Sequence, residues 1–127
     1  MSEMSDFLEN ALVNAVFRNT AYTSPPAVYA ALYTIDPSDS GGGTEVAGNG
    51  YARAAITFTA PSNGMVAANL TTFPTATAAW NSITAMGIFD TTTGGNLLVW
   101  TPLDTFKYVG TNDVLSFPAG SVTVTFA

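Results

Sequence analysis

Residues 82–101 read SITAMGIFDTTTGGNLLVWT, and this stretch sets the fold. Ser82 to Phe89 is strand-like. Thr91-Thr92-Thr93-Gly94-Gly95 is a hairpin signal, and Asn96 to Thr101 is the returning strand. Downstream, Phe106 to Val109, Val114 to Phe117 and Ser121 to Phe126 read as three more short strands. Gly110-Thr111-Asn112-Asp113 and Pro118-Ala119-Gly120 separate them. Upstream, Val28 to Ile35 is aromatic and β-branched and bounded by proline at both ends. Tyr51 to Thr59 alternates, with Ala52, Ala54, Ile56 and Phe58 on one face. Met65 to Phe73 is a further strand, and Pro74 to Trp80 a connector ending in an aromatic anchor. Roughly seven to eight short strands, with turn signals between them, predict a mainly β chain built as an antiparallel β-sandwich.

The first residues follow a different period. Ser5 is suited to an N-cap, and Asp6 and Glu9 put negative charge in the first turn of a helix. Leu8, Leu12, Ala15 and Val16 recur at helical spacing, with Phe7 and Ala11 beside them. The helix is expected to stop near Asn19, before Thr23-Ser24-Pro25-Pro26. So short a helix is not stable alone in water and must dock on its own sheet or on another chain. The expected organisation is a helical arm over residues 1–26 and a β-sandwich over residues 27–127.

Composition excludes more than it includes. The 127 residues contain no His and no Cys, and Arg18, Arg53 and Lys107 are the three cations. The usual proton shuttle, the thiol nucleophile and the soft metal ligands are therefore missing. Net charge is −6, so a phosphate backbone or an anionic membrane surface is an unsuitable partner. No apolar run approaches the roughly 20 residues of a membrane span, and the acidic start is unlike a signal peptide. Charged residues are 9% against about 25% in an ordinary domain, which suits burial between subunits.

The side chains that could carry chemistry have simpler roles. Asp36, Asp39, Asp104 and Asp113 lie where turns need Asp. Asp36, Asp39, Ser40 and Glu45 could offer oxygens to calcium, but their spacing is not that of an EF-hand. The Asp36 to Gly50 loop, with three consecutive glycines, therefore reads as solvated and flexible. Gly41-Gly42-Gly43 lacks the Lys of a phosphate loop. A Ser nucleophile would have no His to activate it. No catalytic residue, cofactor or metal is expected. Most aromatics alternate with small residues as core positions do, and Trp80 and Trp100 stand out as anchors, within the chain or across an interface.

Three stretches carry a family resemblance: LENALVNAVFRNTAYTSPPAVYAALYTIDP at 8–37, GTEVAGNGYARAAITF at 43–58, and FPTATAAWNSITAMGIFDTTTGGNLLVWTPL at 73–103. Their order and spacing resemble a family of small tailed-bacteriophage virion structural proteins often described as tail-fibre proteins. The resemblance implies a virion location after assembly in the host cytoplasm. It also implies partners among other virion proteins, and self-association as a trimer. It supplies no catalytic or metal residue.

The chain has no internal repeat or heptad to build fibre length. The expected role is therefore a non-enzymatic capsid decoration or cement protein bound to the major capsid protein. The alternative is a small tail-fibre, tail-tip or baseplate attachment protein. Phe7, Leu8, Ala11, Leu12, Ala15 and Val16, with Trp80 and Trp100, are the expected partner-binding residues.

Overall fold

The computed structural model describes residues 3–126. In chain order the elements are β1 (Glu3–Met4), α1 (Asp6–Phe17), β2 (Val28–Ile35), β3 (Thr44–Glu45), β4 (Ala54–Ile56), β5 (Met65–Ala67), β6 (Thr71–Thr72), β7 (Asn81–Phe89), β8 (Leu97–Val109), β9 (Ser116–Phe117) and β10 (Thr123–Thr125). The fold is mainly β and sandwich-like, with one short N-terminal helix. Every strand pair is antiparallel.

The main sheet runs β1-β8-β7-β2-β3, and β4 joins the same edge of β2 as β3, at its other end. The β7–β8 hairpin is its spine, closed through residues 90–96 as the Thr-Gly-Gly signal requires. Two small ribbons, β5–β10 and β6–β9, complete the antiparallel pairing. Phe73, Phe117 and the partly buried Val122 and Val124 from these ribbons join Leu32, Ile83 and Met86 of the sheet in the main core. The other face of β2, β7 and β8 forms a smaller cluster of Ala31, Tyr33, Ala85, Phe89 and Leu97. The two central strands are thus buried on both faces, which is why they read as nearly continuous apolar runs.

The strand boundaries expected from sequence shift in four places. Val28 to Ile35 is β2 as read. Met65 to Phe73 is two strands, because Asn69 turns aside to hydrogen-bond Thr57 through both backbone and side chain. Tyr51 to Thr59 is a strand only over β4, since the Tyr51 N–H closes a turn onto Gly48. Asn96 to Thr101 and Phe106 to Val109 are one strand, not two. Ile83 faces Lys107 while Ala85 faces Pro102, so residues 103–106 bulge where proline has no N–H for a regular ladder. The last two strands are shorter than read, at β9 and β10. With β1 and β3 added, ten strands lie within the described residues in place of seven or eight.

The helix starts as its sequence predicts. The Ser5 hydroxyl accepts from the Leu8 N–H at 3.2 Å, and Asp6 and Glu9 occupy the first turn. The chain leaves the sheet edge directly into it: Ser5 N–H donates to the Leu98 carbonyl and Asp6 N–H to the Asp39 carbonyl. Leu8 is buried, and Leu12 packs on the main core. Val16, read as part of that stripe, is 70% exposed instead, beside exposed Val13 and Phe17. The stripe stays partly covered through Ala15 and is open from Val16.

Trp80 is an anchor within the chain and is too buried to be the partner-binding residue expected. It is 3% exposed, its ring stands edge-on to Tyr51 at 5.4 Å, and its indole N–H donates to the Asn49 carbonyl. Trp80→Ala is therefore expected to cost about 3–5 kcal/mol. Val16→Asp is expected to change stability by less than about 0.5 kcal/mol. Urea unfolding of the two variants, followed by circular dichroism, checks both.

Candidate functional site

The Gly-rich segment after β2 is where the sequence offers most freedom and the structure uses it. Gly43 has φ 71°, and a Cβ there would lie 2.6 Å from the Ile35 carbonyl oxygen. This glycine lets the chain fold back so that Thr44 and Glu45 pair with β2. The loop is not loose. Ser38 and Gly41 exchange two backbone hydrogen bonds, Val46 N–H donates to Leu32, and the Thr84 hydroxyl donates to the Asp36 carboxylate at 2.6 Å.

The fold-back delivers Glu45 to Arg53. The guanidinium donates from Nε and Nη2 to the two carboxylate oxygens, each at 2.9 Å, a two-pronged ion pair with the Arg53 side chain 6% exposed. Its third nitrogen donates to the carbonyls of Thr91 and Gly94 in the hairpin turn. The guanidinium carbon sits 3.7 Å from the centre of the Phe89 ring, and Phe89 stacks on Tyr33. Tyr51 completes the cluster by donating its hydroxyl proton to Glu45 at 2.7 Å and accepting from the Leu32 N–H.

Electrostatics follow from this packing. Burial pulls the Arg53 guanidinium down, but its hydrogen bonds to Glu45 and the Glu45 charge outweigh this and hold it above its ordinary value. Burial pushes the Tyr51 hydroxyl up strongly, and its bond to the Glu45 carboxylate pushes the same way. Burial also raises Tyr33, to about 12, with Glu45 adding and Arg53 opposing.

Above this floor opens a cleft of about 570 Å³, within the size range of binding sites. Its walls are the helix start at Asp6 and Phe7, the loop at residues 39–43, and the hairpin tip at residues 94–97. Tyr33, Phe89, Glu45 and Arg53 form its base. Asp39 is held by the Trp100 indole N–H at 3.3 Å. Asp36, Asp39 and Glu45 are thus dispersed onto Thr84, Trp100 and Arg53, and no group of three His, Cys, Asp or Glu residues that could hold a metal ion exists among the described residues.

The predicted site residues separate. Phe7 sits at the cleft rim, 42% exposed, and Trp100, half-buried, steadies Asp39 beside it. Leu8 and Trp80 are inside the chain. Ala11, Leu12 and Ala15 are half-buried on the helix, and Val16 is exposed. Tyr33, Glu45, Arg53 and Phe89 form the cleft base and were not singled out from sequence as a site. The available signal was Arg53 itself, a rare cation standing in an otherwise apolar alternation.

The family model described as Podophage GP4 fiber I protein gp80 matches residues 3–125. A search of curated proteins finds no match to the chain.

Arg53→Met would leave the Glu45 charge without its ion-pair partner, with only the Tyr51 hydroxyl bonded to it, and would free the hairpin turn. A loss of about 3 kcal/mol or more is expected in chemical denaturation, and Arg53→Lys should recover only part of it, since Lys cannot form the fork. The tyrosines give a pH dependence. Tyr33 holds its proton more tightly when folded, about 12 against an ordinary 10.0. Its contribution is therefore full below pH 10.0 and is lost as pH rises through 10.0 towards about 12. Thermal unfolding midpoints should stay level to the mildly alkaline range and then fall, less steeply in Tyr33→Phe.

Proposed function

We propose, from the premise that this chain belongs to the Podophage GP4 fiber I protein gp80 family, that it is a non-enzymatic structural subunit of a fibre on the phage tail. The observation that carries this reading is the family match across residues 3–125, nearly the whole chain. It favours the fibre alternative over the capsid decoration role expected from the absence of repeats. A fibre component need not be long itself. It can be a compact module that adds to a larger assembly through its surfaces.

The structure supports a structural role in two ways. Glu45 and Arg53 at the cleft base, with Tyr51 beside them, are engaged in holding the loop, sheet and hairpin together. The exterior retains large apolar side chains, among them Phe17, Phe106 and Tyr108 at 80%, 66% and 66% exposure, which suit contact with other virion proteins.

Location in the particle is the test. Cryo-microscopy or antibody labelling of intact virions should place the polypeptide at the tail, in low copy number. Regular density over the head shell, with tens to hundreds of copies, would reject the tail placement and restore the decoration role.

A further inference from the structure

We propose that the cleft at the hairpin tip receives the Phe106-Lys107-Tyr108 segment of a second copy of this chain, joining copies head to tail. The inference goes beyond the fibre placement and does not need it, because both surfaces belong to the isolated chain.

The receiving side is built for a hydrogen-bond donor with positive charge. Glu45 is neutralised by Arg53, but the Asp6 carboxylate has no ion-pair or hydrogen-bond partner among the described residues. Asp39 carries only the indole N–H of Trp100. Tyr33 makes the point independently. It is 4% exposed and lines the cleft, yet its hydroxyl makes no hydrogen bond among the described residues. No sealed side-chain polar atom lacks a partner, so this hydroxyl must open to the cleft. Phe7 adds an apolar rim.

The inserting side is the complement. Of the three cations, Arg53 is locked in its fork and Arg18 bonds Asn14. Lys107 has neither an ion pair nor a hydrogen bond among the described residues, and its neighbours Phe106 and Tyr108 are each 66% exposed. Lys107 matches the carboxylates in charge, and Phe106 and Tyr108, on the opposite face of the same exposed strand end, match the aromatic rim in apolar character.

The two surfaces cannot meet within one molecule. Lys107 pairs with Ile83, while the cleft lies by the Phe89–Leu97 pair at the other end of the hairpin. At about 3.3 Å per residue along β7, the separation is roughly 20 Å. The contact is therefore between unlike surfaces, and its repetition gives a ring if the rotation closes and a filament if it does not.

The experiment uses the purified full chain in light scattering and sedimentation. Wild type should self-associate at low ionic strength and dissociate near 1 M salt. Lys107→Glu and Asp39→Lys should each weaken association by about tenfold or more, with unfolding midpoints close to wild type. Mixing these two variants in equal amounts should restore association, since the native surfaces attract across the pair and the two reversed charges attract as well. Each mixture partner keeps one intact surface, the Lys107 segment on Asp39→Lys and the cleft on Lys107→Glu. If Asp39→Lys does not fold, Asp6→Asn replaces it in the single-variant comparison. A wild type that stays monomeric at every accessible concentration would overturn the proposal. So would folded single variants that associate as wild type does, or a mixture of folded variants that remains monomeric.

Discussion

The Arg53–Glu45 fork is the interaction on which the rest of the structure depends. It ties together three segments at one place: the Gly-rich loop, the approach to β4 and the turn of the β7–β8 hairpin. Arg53 can do this because a guanidinium offers five donors in a plane and a flat cationic face. The donors reach Glu45, Thr91 and Gly94, and the face covers Phe89. In a chain with so few charges, one ion pair does the organising that many surface pairs do elsewhere.

The same cluster explains how the sheet tolerates a second apolar face without a second full layer. The main core is closed by the two ribbons, Trp80 and the first half of the helix. The opposite face has only Ala31, Tyr33, Ala85, Phe89 and Leu97, roofed at one end by Arg53 and flanked by Trp100. Gly87 is part of that economy. A Cβ at this position would lie 2.9 Å from Leu97 and 3.0 Å from Tyr33, so the bare backbone lets these side chains lie flat on the strand. The roof is polar and partial, and the cleft is what remains open above it.

Local signals were legible wherever the cause was local. The Ser5 cap with Asp6 and Glu9, the Thr-Gly-Gly hairpin turn, and β2 between its prolines all appear where the residues place them. Boundaries shifted where a distant partner decided them. Asn69 leaves the strand for Thr57, and β8 bulges over residues 103–106 beside Pro102 before it pairs with β7 again. The amphipathic stripe meets the core at Leu8 and Leu12 and is exposed at Val16, since periodicity reports a face but not what covers each part of it. Trp80 and Trp100 looked alike in sequence. One is sealed against Tyr51 and Asn49, the other half-buried and holding Asp39.

By itself the sequence determined the class of fold, the helix start and the central hairpin. Capping, turn chemistry and residue alternation act over a few residues and need no knowledge of the whole. The tertiary structure alone decided the cleft. Its base joins Tyr33, Glu45, Arg53 and Phe89 across four separate segments, and its walls join the helix start to two glycine turns. Bringing these together depends on strand order and on the direction in which each side chain leaves the sheet, quantities that no local pattern encodes.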